Sequence, residues 1–108
     1  MPRVCIPRSV KIGPYDFRVR LVGATAFKDD KEQAGGVDFQ QFRIEILRSL
    51  PRAKKQEVLL HEIWHAVHYI AGVGDDKPRT DEEWIVAITP TSLHVIRENP
   101  DLLEYLRS

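Results

Sequence analysis

Val58-Leu59-Leu60-His61-Glu62-Ile63-Trp64-His65-Ala66-Val67-His68-Tyr69-Ile70-Ala71 carries two superimposed patterns, and together they orient the chain. Leu59, Ile63, Ala66, Val67 and Ile70 recur at helical spacing, so they form one apolar stripe that anchors a helix in a core. His61 and His65 fall on the other side. Residues four apart on a helix stack with Cβ atoms about 5–6 Å apart, so both imidazoles can be directed at one metal ion. Glu62 projects at about 100° from His61 around the axis. It is displaced from the two histidines as a ligand but near enough to reach a water held by the metal. Two imidazoles, an acid/base carboxylate and an open coordination position are the parts of a metal-assisted hydrolase. The apolar flanks also predict that the histidines are buried.

Working upstream, the first half reads as strands. Ser9 to Ile12 alternates polar and apolar residues, Gly13-Pro14 marks a turn, and Tyr15 to Val22 alternates again with period two. Tyr15, Phe17, Val19 and Leu21 are expected on the core side. The charged stretch from Phe27 to Gln33 reads as a solvated loop, and Gly35-Gly36 opens a second extended region. Phe42, Ile44 and Ile46 then alternate with Arg43, Glu45 and Leu47 in a further strand.

Pro51 fits a helix start, with Ser49 as a cap, and the metal helix runs from Lys54 to Ala71. Gly72-Val73-Gly74 ends it. Thr80 or Asp81 caps a second helix carrying Glu82, Glu83 and Trp84, which Pro90 is expected to kink or interrupt. Asn99-Pro100 is a stop before a short terminal helix, Asp101 to Arg107. Strands followed by helices give an α+β layout: a small antiparallel sheet packed against the metal helix and a following glutamate-bearing helix. The 108 residues suit one domain, strand-rich over 9–47 and helical over 51–107.

A catalytic zinc site usually has three protein ligands. His68 lies seven residues past His61, about 10.5 Å along the axis, too far for an unbroken helix to bring all three histidines onto one ion. His68 is therefore expected to pack or to lie beside the cleft. Asp81, Glu82 and Glu83 follow a loop long enough to fold back. With Ile85, Ile88, Val95 and Ile96 as the buried side, Glu82 lies about 60° from Ile85 and Glu83 about 160° away. Glu82 is the expected third ligand and Glu83 the alternative. Without a ligand role, these acidic residues would simply complement the helix dipole.

Sixteen basic and sixteen acidic residues cancel, so no charge excess points to nucleic acid or to an anionic membrane. The single cysteine, Cys5, excludes an intrachain disulfide and favours a reducing setting. Prolines and charges interrupt the amino-terminal residues, which do not read as a signal peptide, and no stretch approaches the ~20 apolar residues of a membrane span. The expected location is cytoplasmic.

Leu60-His61-Glu62-Ile63-Trp64-His65-Ala66, Glu82-Glu83 and Asn99-Pro100-Asp101-Leu102 resemble the gluzincin group of zinc metallopeptidases, and more narrowly the very small zincins encoded by bacteriophages and prophages. The resemblance implies Zn²⁺ on His61, His65 and a glutamate, with Glu62 as general base and a peptide or protein as substrate. It also implies that a strand near the cleft, with Gln41 to Leu47 as the candidate, lines the substrate by strand addition. The second subdomain that completes the cleft in full-sized gluzincins is not expected in 108 residues. Tyr69, His94 and Tyr105 are the open candidates for stabilising an oxyanion. The competing expectation is a catalytically silent, zinc-stabilised protein-interaction module. A DNA-binding regulator has only scattered Arg and Lys residues in its favour.

Overall fold

Residues 4–27, 33–72 and 78–108 are described by the structure, a computed structural model. Strands form where alternation is strong, at β1 (Ser9–Ile12), β2 (Tyr15–Val22) and β4 (Arg43–Leu47), whereas β3 (Gly35–Asp38) has no alternation and starts at the glycine pair. Three helices follow, α1 (Arg52–Ile70), α2 (Asp81–Glu98) and α3 (Pro100–Arg107). Strands then helices, with the sheet packed on the helices, is the α+β arrangement expected. The sheet order is β1-β2-β4-β3. Its central pair, β2 and β4, is parallel, with Val19 beside Ile44 and Leu21 beside Ile46. The sheet is therefore mixed and not the antiparallel one expected, because alternation assigns a face and does not encode strand direction.

Val10, Ile12, Phe17, Val19, Ile44 and Ile46 turn one face of the sheet onto Leu59, Ile63, Ala66 and Val67 of α1. Val95, Leu102 and Tyr105 close the same core from α2 and α3. Tyr15 departs from expectation: it is exposed and stacks on Phe42 with ring centroids 4.2 Å apart, while Phe42 meets Phe17 edge-on. It lies at the hairpin end, where its ring covers the core rather than entering it. The hairpin turns at Gly13, whose φ of 60° is left-handed. A Cβ there would also lie 2.7 Å from Ile70 Cγ2, so glycine lets the turn rest against the end of α1.

The helix boundaries follow local chemistry. Pro51, not Ser49, precedes the first turn of α1, and no side chain caps it. Thr80 caps α2 through a full capping box: its hydroxyl accepts from the Glu83 N–H, and the Glu83 carboxylate accepts from the Thr80 N–H. Pro90 does not interrupt α2, which is one helix from Asp81 to Glu98. Pro90 leaves the Val86 carbonyl without its usual donor, but Val86 is exposed, so water can serve it. Among the described residues, no helix is long and apolar enough to cross a membrane.

Asn99 does more than end α2. Its Oδ1 accepts from the Lys11 N–H at 2.7 Å, and its Nδ2 donates to the carbonyls of Lys11 at 2.8 Å and Val95 at 2.9 Å. One buried amide thereby serves the outward backbone groups of edge strand β1. Asn99→Ala is expected to cost about 1–3 kcal/mol, because the truncation removes the bonds and leaves the part-buried groups of Lys11 without their partner. Urea unfolding checks this; a loss under about 0.5 kcal/mol, the scale of an ordinary surface change, would show that the clamp is idle.

Candidate metal centre

The α1 stripe enters the core as its spacing predicts, and this sets the opposite face. His61 and His65 both stand on the surface, contrary to the expectation that apolar flanks would bury them. Glu62 between them is the buried member, 6% exposed. The helix packs on the sheet along the side that carries Val58, Leu59 and Glu62, so the carboxylate goes under and the imidazoles stay out.

The two imidazoles converge. His61 Nε2 and His65 Nε2 are 3.1 Å apart, with ring planes at 76°. A tetrahedral zinc with bonds of about 2.05 Å would hold two nitrogens about 3.3 Å apart, so the observed spacing suits a shared ion within a few tenths of an ångström. One ligand atom from each of His61, Glu62 and His65 lies within 4.8 Å of the others, and among the described residues this is the only such group of three or more. Burial pushes the Glu62 carboxyl above its usual range, and the neighbouring His61 and His65 pull it partly back.

Gly35 explains how Glu62 comes to be buried. A Cβ on Gly35 would lie 2.7 Å from Val58 Cγ1, 3.0 Å from the Glu45 carbonyl and 3.4 Å from Glu62 Cγ. Only glycine lets β3 lie this close over α1. The Gly35-Gly36 pair was legible as the start of an extended segment; its close approach to Glu62 was not. From there β3 runs beside α1, since Phe39 just beyond it stacks on Tyr69 with centroids 4.3 Å apart. Four residues of strand span about 13 Å, between the about 10.5 Å from Glu62 to Tyr69 and the about 16.5 Å from Val58 to Tyr69 along the helix.

The strand beside the site is therefore β3, not Gln41 to Leu47. β4 lies between β2 and β3 and is paired on both sides, so it has no edge to offer. Just before β3 the Ala34 carbonyl accepts from the Leu47 N–H, and within it Gly36 sits opposite Glu45. Antiparallel alternation then turns the N–H and C=O groups of Gly35 and Val37 to the open edge. A cleft of about 300 Å³ lies at the start of this edge, lined by Gln33, Gly35, Glu57, Val58, His61 and Glu62 among others.

Past the two histidines, His68 is half-buried and stacks on Trp84 at 5.2 Å, with the Arg79 guanidinium 5.9 Å from the Trp84 ring. It packs, as expected, and pins the first turn of α2 to α1. Asp81, Glu82 and Glu83 are all exposed, and none belongs to the cluster. The phase argument for Glu82 needs Ile85 and Ile96 to be buried, yet they are 54% and 51% exposed. The covered stripe of α2 instead follows Trp84, Ile88 and Val95. Glu82 lies about 120° from Ile88, whereas Asp81 lies about 20° from it. The Glu83 carboxylate is committed to Thr80, which draws its pKa below the usual range.

Of the three oxyanion candidates, Tyr69 follows His65 by one turn on the same stripe and is exposed. Tyr105 is fully buried under Arg52 on another side of the molecule, and His94 buries its Nε2 without a partner. Compared with models of known protein families, with curated proteins and with solved structures, the chain matches none.

Proposed function

We propose that the chain is a zinc-dependent metallopeptidase of the gluzincin type, acting on peptide or protein substrates in a cytoplasmic setting. The observation that carries this reading is the pair of converging imidazoles with a buried carboxylate between them. A structural zinc site has no need for a buried carboxylate in that place.

His61 and His65 would hold the metal. When bound there, zinc supplies a Lewis acid and lowers the pKa of a water toward ~7. Glu62 takes a proton from the attacking water and returns it to the leaving amine. Burial suits it to this work, because a raised pKa brings a carboxylate nearer the working pH of a general base. The open groups of Gly35 and Val37 align an extended peptide by strand addition, and Tyr69 is the donor best placed for the developing oxyanion.

The third protein ligand is assigned by this reading to the acidic first turn of α2. Glu82 has the reach of a glutamate and a carboxylate free of the cap; Asp81 competes because it lies in phase with the covered stripe; Glu83 is the weaker alternative because its carboxylate is engaged in the capping box. Zinc content of purified wild type, Asp81→Asn, Glu82→Gln and Glu83→Gln separates them. Zinc is expected to bind wild type and the Glu83 variant and to be lost from the Glu82 variant. Loss from the Asp81 variant alone would move the ligand there. A folded wild type that takes up no supplied zinc would overturn the metal centre itself.

One observation favours a second reading, a catalytically silent zinc-stabilised interaction module. Leu60 and Trp64 stand exposed on α1 and border a groove of about 210 Å³ lined by apolar side chains of all three helices. Chelator-sensitive peptide hydrolysis by the wild type decides against it.

A further inference from the structure

The Gly35 carbonyl faces the open edge of β3 next to Glu62 and is already engaged: the Gln33 side-chain amide donates to it at 2.8 Å. The amide Nε2 lies close over the strand, 3.1 Å from where a Cβ on Gly36 would be. Gln33 thus already engages the carbonyl that a peptide adding to β3 would use. Beyond it, among the described residues, the edge groups of Val37 are open.

We infer that Gln33 is a built-in competitor for the substrate edge, a side chain that occupies the first hydrogen-bonding position of β3 until an extended peptide displaces it. The inference rests on the peptidase reading and adds a regulation to the same site. Gln33 lies two residues from Gly35, so its contact forms without a long loop to close. An incoming peptide must break this bond before making its own. The cost is one part-buried neutral hydrogen bond, and removing it should tighten peptide binding about two- to tenfold. The effect belongs to binding, since Gln33 has no part in the chemistry at Glu62.

The test uses the zinc-loaded full-length chain and a pool of capped, fluorogenic hexapeptides. Gln33→Ala removes the donor; Gln33→Glu keeps the length but replaces the donor with an acceptor that the Gly35 carbonyl repels. Both are expected to lower KM about two- to tenfold with kcat and zinc content unchanged. A general structural role would instead lower kcat, zinc content or thermal midpoint. Chelator-sensitive hydrolysis with KM unchanged or raised in both variants would overturn the role of Gln33 and leave the peptidase reading standing. No chelator-sensitive hydrolysis by the wild type would overturn the peptidase reading, and this role with it.

Discussion

Glu62→Gln is expected to abolish peptide hydrolysis by about 10²–10⁴-fold while leaving zinc content unchanged. The amide keeps the volume and the packing against Gly35 but cannot take a proton from water. The same substitution is expected to stabilise the metal-free protein at neutral pH. Burial raises the Glu62 pKa, so the folded state holds this proton more tightly than the unfolded chain does. Folding is then favoured below the usual carboxyl range and loses stability as pH rises through the raised pKa. An amide in its place has no proton to lose in this range, so this part of the pH dependence disappears. Thermal unfolding in chelator at several pH values reads it, each kcal/mol moving the midpoint of a chain this size by about 4–8 °C. Undiminished hydrolysis in the variant would refute the general-base role. A midpoint lowered at neutral pH would refute the cost of burying the charge.

His61→Ala and His65→Ala carry the second large effect. A ligand that binds only the folded state stabilises it by about 2.7 kcal/mol at a free concentration of 100 Kd and about 4.1 kcal/mol at 1,000 Kd. Wild type should therefore show a zinc-dependent rise of the unfolding midpoint, and each variant should lose that rise. Both imidazoles are exposed, so in chelator the variants should unfold close to wild type. This separates a metal ligand from a packing residue. A variant that keeps the full zinc-dependent rise would remove its histidine from the ligand set, and one strongly destabilised in chelator would show a packing role instead.

The apolar stripe of α1 was legible because five residues agree on one phase, and the structure buries four of them fully or nearly so. β1, β2 and β4 were legible for the same reason at period two. The second helix was not, because Ile85, Val86, Ile88, Leu93, Val95 and Ile96 spread over about half of its circumference and support more than one buried side. Which stripe is covered is decided by the Trp84–His68 contact and by Asn99, both tertiary. The parallel β2–β4 pair escaped for a related reason: alternation assigns a face and leaves the neighbour undefined. At the site, spacing brought His61, Glu62 and His65 together, whereas the burial of Glu62 under Gly35 depends on an approach between distant segments.

The Asn99 clamp also bears on the order of events during folding. It joins positions 88 residues apart in sequence, so the loop it closes spans most of the chain and its contacts form late. The two candidate histidines need no such closure, because they share one helix, and a helix of this length relaxes in about 0.1–1 μs. A metal ion can meet a paired imidazole site while the sheet is still assembling. Zinc captured at that stage would bias the chain toward helix at residues 52–70 and give the later strands a preformed surface on which to dock.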